Sequence, residues 1–225
     1  MLLNEAMDLR EKVSRADSLE SAVDLLLASA TFQAYQKREE ITALLRMLRS
    51  LSPTHLCEIG SYKGGTLALF AAIAAPDARI LSIDADYPEE RMSAVSRLGR
   101  SQQEITCWQA DSHEEATLQR VAAWLSGNPL DFLFIDGDHS YSGVAQDFDM
   151  YSPLVREQGI IALHDIMPDR NDQREGQTGN YTGGVPYFWT ELKSRFSQTD
   201  ELVEDVNQDG FGIGIICVNG REYHG

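Results

Sequence analysis

The stretch HLCEIGSYKGGTLALFAAIAA, residues 55–75, decides the fold of this chain. Its first five residues, His55–Ile59, form an apolar run typical of a β-strand, and residues 66–75 form an apolar helical run. Between them lies a turn with glycines at 60, 64 and 65, where the backbone is open to close approach by another group. A strand that leads through such a turn into a helix is the first half of a βαβ unit.

The same alternation of strand and helix continues downstream. Right-handed crossovers of this kind build a parallel sheet. Too few residues separate the apolar runs 201–206 and 210–218 for a crossover, so these two strands must be antiparallel. We therefore predict an α/β fold with a Rossmann-like, doubly wound, mostly parallel seven-stranded sheet and an antiparallel final strand. The other predicted strands are 55–59, 79–84, 105–110, 130–136 and 159–165, and the predicted helices are 66–75, 89–99, 114–126, 140–155 and 186–197.

Residues 1–53 are predicted to form a helical extension that precedes the sheet. The residues DSLE, 17–20, have the pattern of a capping box, and Pro53 ends the last helical run. The apolar stripe of these helices is expected to pack either on the main domain or on a second subunit. The predicted domains are therefore the N-terminal helical extension, 1–53, and a main domain, 54–225.

Residues 166–185 are polar and glycine-rich and show no hydrophobic period. A loop of this length inside a compact domain is more often functional than idle. We predict a lid or substrate-recognition loop over the main domain. Its Arg170 and Arg174 either reach an acidic substrate or remain mobile surface charge.

The charge balance excludes two classes of partner. The chain has 19 Lys and Arg against 35 Asp and Glu, a formal net charge of −16, and such a field repels nucleic acid and anionic membranes. No apolar run reaches the length of a membrane span, and the N-terminus lacks the apolar core of a signal peptide. The three cysteines do not show the spacing of a zinc site. We predict a cytoplasmic protein with a small-molecule substrate, no nucleic-acid or membrane partner, and a homo-oligomeric assembly.

Polar residues follow three consecutive predicted strands, at the carboxyl ends where open α/β sheets bind ligands. An acid after the second strand is placed to accept hydrogen bonds from both hydroxyls of a ribose, and an acid after the third strand could meet an adenine amino group. Local roles are open as well, since Asp86 can begin a turn and Asp111 with Ser112 can cap the next helix. The residues concerned are Glu58, Gly60, Ser61, Gly64, Asp84, Asp86, Asp111 and Ser112.

The fourth predicted strand ends in FIDGDHSYSGVAQDF, residues 134–148, which clusters acids beside a histidine. Asp136 and His139 come directly after the strand, where a carboxylate and an imidazole could bind a cation or move a proton. Asp138 is expected to shape the turn. Asp147 is expected on a solvated helix face, and His113 on the surface.

Four segments together resemble the class I S-adenosylmethionine-dependent methyltransferases over residues 54–220: EIGSYKGG, SIDAD, FIDGDHSYSGVAQDF and GIIALHD. The closer likeness is to the branch of the macrolide-sugar and cephalosporin-pathway O-methyltransferases. The resemblance implies S-adenosyl-L-methionine as the cofactor. It implies that Glu58, Gly60 and Ser61 line its methionine part and that Asp84, or in its place Asp86, holds the ribose. It further implies that Asp111 and Ser112 border the adenine, and that Gly64 and Asp136 also belong to the cofactor site.

Metal-using members of that family place one ligand after the fourth strand and two at the end of the fifth, which here implies Asp136, His164 and Asp165. The resemblance further implies that His139 is the general base and that Asp136 shares the catalytic role. The chain departs from the family at His164, where relatives often carry an oxygen ligand. Magnesium prefers oxygen and manganese accepts nitrogen, so either the metal is not magnesium, His164 is not a ligand, or no metal is used.

Four functions remain open on the sequence. The first is O-methylation of a small hydroxylated molecule, such as a sugar or natural product, assisted by a divalent metal with His139 as base. The second is metal-independent methylation of oxygen or nitrogen, with His139 and His164 as base and orienter. A nicotinamide-dependent oxidoreductase is disfavoured by the poor match to GxGxxG. A non-catalytic binding module is disfavoured by the presence of Asp136, His139 and Asp165.

Overall fold

The computed structural model describes residues 1–170 and 181–219. Among these residues, none of the helices combines the length and hydrophobicity needed to cross a membrane. The described strands are β1 His55–Ile59, β2 Arg79–Asp84, β3 Glu104–Gln109, β4 Leu130–Ile135, β5 Val155–His164, β6 Thr199–Leu202 and β7 Ile213–Cys217. The described α-helices are α1 Leu2–Ser14, α2 Leu19–Leu27, α3 Arg38–Leu51, α4 Gly65–Ile73, α5 Glu89–Val95, α6 Glu115–Leu125, α7 Tyr141–Tyr151 and α8 Val185–Arg195.

Within the described part of the chain, the strands form a seven-stranded sheet in the order β3-β2-β1-β4-β5-β7-β6. β1 pairs with β2, β2 with β3, and β4 with β5, all in parallel, whereas β7 is antiparallel to both β5 and β6. The predicted α/β fold is confirmed, including the antiparallel final strand. β5 begins four residues earlier than predicted, because Val155 pairs with Leu130 ahead of a register shift.

The chain divides into two compact units, Met1–Ser112 and His113–Gly225. The first unit holds α1 to α5 and β1 to β3, and the second holds α6 to α8 and β4 to β7. The three N-terminal helices thus belong to the same unit as the first three strands. The separation of an extension, 1–53, from a main domain, 54–225, stays a prediction.

In the first unit, local sequence signals set the ends of the N-terminal helices. The side-chain oxygen of Ser18 accepts a hydrogen bond from the backbone N–H of Ser21 and caps α2, as the capping-box pattern predicts. α3 ends at Ser52, whose left-handed backbone has a φ of 48°. The buried face of α3 recurs at intervals of three and four residues and includes Ile41, Leu44, Leu45 and Leu48.

Gly65, the first residue of α4, is required by packing within the first unit. A Cβ atom on Gly65 would lie 2.3 to 2.4 Å from backbone atoms of Phe32, Gln33 and Ala34. The segment 32–34 therefore lies directly on the start of α4. Because backbone atoms cannot move aside as a flexible side chain can, only glycine fits at this position.

In the second unit, the start and the end of the predicted loop 166–185 are held together. The carboxylate of Asp169 accepts hydrogen bonds from the backbone N–H and the hydroxyl of Thr182, at 3.4 and 3.3 Å. Residues 171–180, which include Arg174, lie outside the described residues. The role of this loop as a lid or substrate-recognition element stays a prediction.

We expect Gly65→Ala to lower the free energy of unfolding by about 3 kcal/mol, because the added methyl group forces the segment 32–34 away from α4. Urea unfolding followed by circular dichroism measures the change. The control is Gly127→Ala, where a Cβ meets nothing within 4 Å but φ is +86°, so the cost is the backbone strain alone, about 1 kcal/mol. Equal unfolding midpoints for Gly65→Ala and wild type would contradict the packing account.

Candidate active site

In the first unit, the turn after β1 is held by the carboxylate of Asp84 at the end of β2. Its Oδ2 accepts hydrogen bonds from the backbone N–H groups of Ser61 and Tyr62, both at 2.8 Å, and its Oδ1 accepts one from Asp86 at 2.9 Å. Gly60 has a φ of 82°, and Tyr62 has a φ of 47°, which is rare for a residue other than glycine. Asp84 therefore fixes the shape of the glycine turn, and its predicted contact with a ribose stays a prediction.

Gly64 has a structural reason of its own. Its φ is +81°, and a Cβ atom there would lie 2.5 Å from a methyl group of Val95 on α5. The glycine is thus needed for backbone conformation and for packing, both independent of a ligand. Its predicted place in the cofactor site stays a prediction.

The remaining candidates of the first unit also lie around the carboxyl ends of β1 to β3. Glu58 is 1% exposed, and its Oε2 accepts a hydrogen bond from the hydroxyl of Ser61. The parallel register pairs Asp84 with Gln109, so Asp86 and Asp111 follow neighbouring strands, and both side chains are exposed. Glu114 is the N-cap residue of α6, so the alternative role of Asp111 and Ser112 as its cap is wrong.

In the second unit, β4 and β5 run in parallel with Ile135 beside Leu163. Asp136 follows β4, His164 ends β5, and Asp165 comes next, so these three side chains meet at the same edge of the sheet. Nδ1 of His164 lies 3.1 Å from Oδ1 of Asp136 and 3.6 Å from Oδ1 of Asp165. The strand register alone therefore brings two carboxylates and an imidazole together.

Asp165 is held in a strained backbone conformation. Its φ is 62°, in the left-handed region, and the side chain is 4% exposed. The backbone N–H of Phe211 donates a hydrogen bond to its carboxylate, and Phe211 lies between Gly210 and Gly212 in a run of three residues with positive φ. Strain of this type in residues other than glycine is concentrated at functional sites.

His139 is oriented by a backbone carbonyl. Its Nδ1 is hydrogen-bonded to the carbonyl oxygen of Tyr181 and lies 3.5 Å from Oδ2 of Asp165. A carbonyl only accepts hydrogen bonds, so Nδ1 carries a proton. Nε2 then faces Asp136, whose Oδ1 is 3.4 Å away. The imidazole nitrogen that can accept a proton is therefore the one beside Asp136.

The pKa values in this cluster are set by burial and by the interactions between two acids and two imidazoles. Burial lowers the pKa of His139 and of His164, but the hydrogen bonds and charges of Asp136 and Asp165 outweigh it and raise both values to about 9. Burial raises the pKa of Asp165 to about 6, despite the opposing charge of His164. Burial would also raise the pKa of Asp136, but the two histidines hold it below its usual value.

A cation could be held by three of these side chains. Within residues 1–170 and 181–219, Asp136, His139 and Asp165 each offer a ligand atom, and these atoms lie within 4.8 Å of one another. Oδ1 of Asp165 is buried and accepts no hydrogen bond from the described residues. The predicted ligand set of Asp136, His164 and Asp165 stays a prediction, and His139 joins the two carboxylates in this group.

Two expectations are wrong, one about Asp147 on helix α7 and one about His113, which contacts this helix. Asp147 is fully buried, since it shares the inner face of α7 with Gly143 and Phe148, and it is not on a solvated face. His113 is not a free surface residue either, because its Nε2 lies 3.4 Å from Oδ1 of Asp147 and 3.2 Å from the carbonyl of Gly143. The expectation for Asp138 is confirmed, since its Oδ1 accepts a hydrogen bond from the N–H of Ser140 and closes the turn.

Sequence reasoning assigned residues 181–184 to the predicted lid loop over this edge of the sheet but missed how they contact His139. Their contribution is made through the backbone, by the Tyr181 carbonyl and by the N–H of Gly184, which donates to the carbonyl of His139 at 2.6 Å. Such contacts are made by backbone groups that nearly every residue has, so the types of side chain in the sequence do not reveal them. The signal that could have indicated them is the pair Gly183-Gly184, which is typical of close backbone approach.

The chain resembles known proteins in sequence and in fold. Residues 57–166 match the family model described as "Methyltransferase domain". The match covers just under half of the chain, so the chain is similar to this family over these residues. The matched segment contains Glu58, Asp84, Asp136, His139 and Asp165.

Individual relatives are distant. The chain is 26% identical over 169 residues to the uncharacterized protein R132 of Acanthamoeba polyphaga mimivirus, covering 68% of this chain and 73% of R132. The O-methyltransferase TomG from Streptomyces achromogenes superposes with a TM-score of 0.62 at 16% identity, covering 93% of this chain and 90% of TomG. MycE, a methyltransferase of the mycinamycin biosynthetic pathway solved with Mg, SAH and mycinamycin VI, gives a TM-score of 0.59 at 20% identity, covering 94% of this chain and 57% of MycE. At these identities the likeness to solved structures shows that the chain has their fold.

We expect Asp84→Ala to lower the free energy of unfolding by about 1–2 kcal/mol, because the N–H groups of Ser61 and Tyr62 lose their acceptor. Urea unfolding of the whole chain measures the change. Asp86→Ala is the matched control, since Asp86 contacts Asp84 only through its backbone N–H, and we expect a change within about 0.5 kcal/mol. Equal losses in the two variants would show that Asp84 does not hold the turn.

Proposed function

We propose that this chain transfers a methyl group from S-adenosyl-L-methionine to a hydroxyl group of a small molecule, with a divalent cation assisting and His139 acting as the general base. The observation that carries the proposal is the meeting of Asp136, His139 and Asp165 in one cluster with ligand atoms within 4.8 Å of one another. Two carboxylates and an imidazole suit cation binding and removal of a proton from an alcohol. The match of residues 57–166 to the methyltransferase domain supports the type of group transferred.

The residues around β1 to β3 fit S-adenosylmethionine. Glu58 offers a buried carboxylate at the end of β1, and the positive φ of Gly60 opens the turn backbone to a ligand. Asp84 uses three hydrogen bonds on its two oxygens, and a carboxylate has about four acceptor sites. We propose that Asp84 holds the ribose and that Asp111 borders the adenine. Bound S-adenosylmethionine supplies a methyl group on a positively charged sulfur, which the acceptor oxygen takes as the sulfur–carbon bond breaks.

The residues at the ends of β4 and β5 fit a divalent cation. We propose Asp136 and Asp165 as its ligands, since Oδ1 of Asp165 is buried without a hydrogen bond from the described residues. A cation bound there supplies positive charge, which lowers the pKa of a coordinated hydroxyl and favours the neutral form of neighbouring imidazoles. A mixed oxygen and nitrogen environment suits manganese at least as well as magnesium.

His139 is proposed to take the proton from the acceptor hydroxyl. Its Nδ1 proton is engaged by the Tyr181 carbonyl, so Nε2 is the nitrogen free to accept. Asp136, 3.4 Å from Nε2, keeps the imidazole ring facing the proposed cation site. His164 holds Oδ1 of Asp136 through Nδ1 at 3.1 Å, and we assign it to orienting Asp136 in place of binding the metal.

The acceptor is proposed to be a small hydroxylated molecule, such as a sugar or a natural product. MycE was solved with Mg, SAH and mycinamycin VI, and it shares the fold of this chain. The sequence resemblance to the macrolide-sugar branch points in the same direction. The formal charge of −16 supports a small substrate over nucleic acid.

A cytoplasmic location and a homo-oligomeric state are also proposed. Cys57, Cys107 and Cys217 form no disulfide among the described residues, which suits a reducing compartment. Met1, Leu3 and Met7 leave apolar surface exposed on the first helix, and symmetric oligomers are common among enzymes of this size. Light scattering of the purified chain would overturn the second proposal by giving a monomer mass at working concentration.

We expect S-adenosylmethionine and S-adenosylhomocysteine to bind the wild-type chain with micromolar Kd in calorimetric titrations. Asp84→Asn keeps an oxygen for the N–H groups of the turn but removes the charge, so cofactor affinity should fall about 10- to 100-fold while folding is retained. Asp86→Ala is the control and should bind as wild type does. A loss confined to Asp86→Ala would transfer the ribose contact to that residue, and no binding in wild type would overturn the proposed cofactor.

We expect Mn²⁺ to bind the wild-type chain and to lose affinity in Asp136→Asn and Asp165→Asn, because each variant removes a charged ligand. If His139 is the base and not a ligand, the His139→Ala chain should bind Mn²⁺ as wild type does. If His139 is a ligand, the Mn²⁺ affinity of this variant should fall about 10- to 100-fold. Asp149→Asn, an exposed acid on α7, is the matched control. Unchanged Mn²⁺ titrations for both strand-end variants would overturn the cation site.

A metal-independent methyltransferase is the second candidate. The pairing of His139 Nε2 with Asp136 Oδ1 at 3.4 Å favours it, since a histidine oriented by a carboxylate can serve as a base without a cation, here at a pH near or above its raised pKa of about 9. Methyl transfer measured with tritiated S-adenosylmethionine across a panel of hydroxylated acceptors, with and without chelator, separates the two. Full activity in chelator would favour the second candidate over the first.

A further inference from the structure

Nδ1 of His139 is hydrogen-bonded to one backbone carbonyl, that of Tyr181, while Nε2 faces Asp136. His139 follows β4 and Tyr181 precedes α8, so the two are 42 residues apart in sequence. Tyr181 itself is 47% exposed, so burial of its own side chain does not fix the carbonyl. The Tyr181 hydroxyl donates to the Asp209 carbonyl at 2.6 Å, but this bond lies at the far end of the side chain, so the backbone must also be held nearer the carbonyl.

The buried pair of Asp169 and Thr182 is the contact that does so. Thr182 is 0% exposed and Asp169 is 3% exposed. The carboxylate of Asp169 accepts from both the N–H and the hydroxyl of Thr182, and the N–H of Asp169 donates to the Thr182 hydroxyl at 3.4 Å. A buried carboxylate without donors is costly, so these reciprocal bonds lock the residue that follows Tyr181.

The residues after Thr182 lie directly on the backbone of the His139 segment. A Cβ atom on Gly183 would lie 2.2 Å from the carbonyl oxygen of His139, and one on Gly184 would lie 2.4 Å from the nitrogen of Tyr141. The N–H of Gly184 also donates to the His139 carbonyl. The segment that carries the Tyr181 carbonyl is thus in backbone contact with the segment that carries the imidazole.

We propose that Asp169 and Thr182 are positioning residues for His139, which act by holding the Tyr181 carbonyl against its Nδ1. The proposal rests on the proposed function, which gives His139 its role as base. With the carbonyl in place, the ring presents Nε2 to Asp136. Without it, Nδ1 loses its hydrogen-bond acceptor and keeps only the longer contact with Oδ2 of Asp165 at 3.5 Å, so the ring is held less firmly and Nε2 is less well oriented. Removing partners of this kind costs about 10- to 100-fold in activity in metal sites.

The test is proton–nitrogen NMR of the whole chain labelled with ¹⁵N-histidine. It follows the Nδ1–H proton of His139, assigned by its disappearance in His139→Gln. Wild type should show a resolved, slowly exchanging proton. Thr182→Val keeps the shape and the N–H of the residue but removes the hydroxyl. In this variant the Nδ1–H proton of His139 should exchange rapidly with water, so its signal should disappear. Thr182→Ser restores the hydroxyl and should restore the signal.

Two further variants keep the test decisive. Thr190→Val, which removes a hydroxyl bonded to the Pro186 carbonyl on α8, should leave the His139 proton unchanged. Asp169→Ala opens the pair from its other side and should reproduce Thr182→Val, so it serves if Thr182→Val does not fold. A slowly exchanging Nδ1–H proton that persists in a folded Thr182→Val or Asp169→Ala chain overturns the proposal.

The readout separates this proposal from the proposed function. The Nδ1–H signal requires neither cofactor nor acceptor, so it reports on positioning even if S-adenosylmethionine fails to bind. Where methyl transfer is measurable, Thr182→Val should lower kcat about 10- to 100-fold with little change in KM, and Thr182→Ser should recover it. Loss of activity in His139→Gln with wild-type kcat in Thr182→Val would refute the positioning role and leave the base in place.

Discussion

The main electrostatic constraint on the second unit is the repulsion between two acids, Asp136 and Asp165, which follow neighbouring strands. The pairing of β4 with β5 fixes where Asp136 and Asp165 emerge, so their separation cannot relax. Two buried carboxylates stay ionised only if positive charge stands beside them. His139 and His164 supply it in the protein alone, and a bound cation would supply it otherwise. Because the two carboxylates need a neighbouring positive charge, the cluster suits a metal. For the same reason the pKa values of both imidazoles are raised.

The strands were predictable because their signal is local. Short apolar runs separated by helical periods predict β1, β2 and β4 almost to the residue. The acids at the strand ends were predictable for the same reason, since parallel strands present their carboxyl ends at one edge. The buried state of Asp147 was not, because it depends on which face of α7 packs inward. The pair of Asp169 and Thr182 was not either, because two polar residues 13 positions apart show no pattern until the fold joins them.

The turn after β1 shows how one set of residues serves stability and binding together. Gly64 and Gly65 are required by Val95 and by the segment 32–34. Asp84 closes the turn through backbone N–H groups. A glycine-rich turn beside an acid is commonly taken as evidence for a nucleotide, yet each of these residues is already explained by the unit itself. Binding at such a turn therefore uses a shape that exists before the ligand arrives, which reduces the entropy cost of association.

The position of β7 also bears on when the site can exist. β7 pairs with β5 and β6 although it follows both in sequence, and the residues just before it supply the Phe211 N–H to Asp165 and the Asp209 carbonyl to the Tyr181 hydroxyl. During translation, Asp136, His139 and Asp165 leave the ribosome well before those partners do. A nascent chain therefore carries these three side chains before the backbone groups that surround them, and the cluster can be completed only when β7 has been made and inserted.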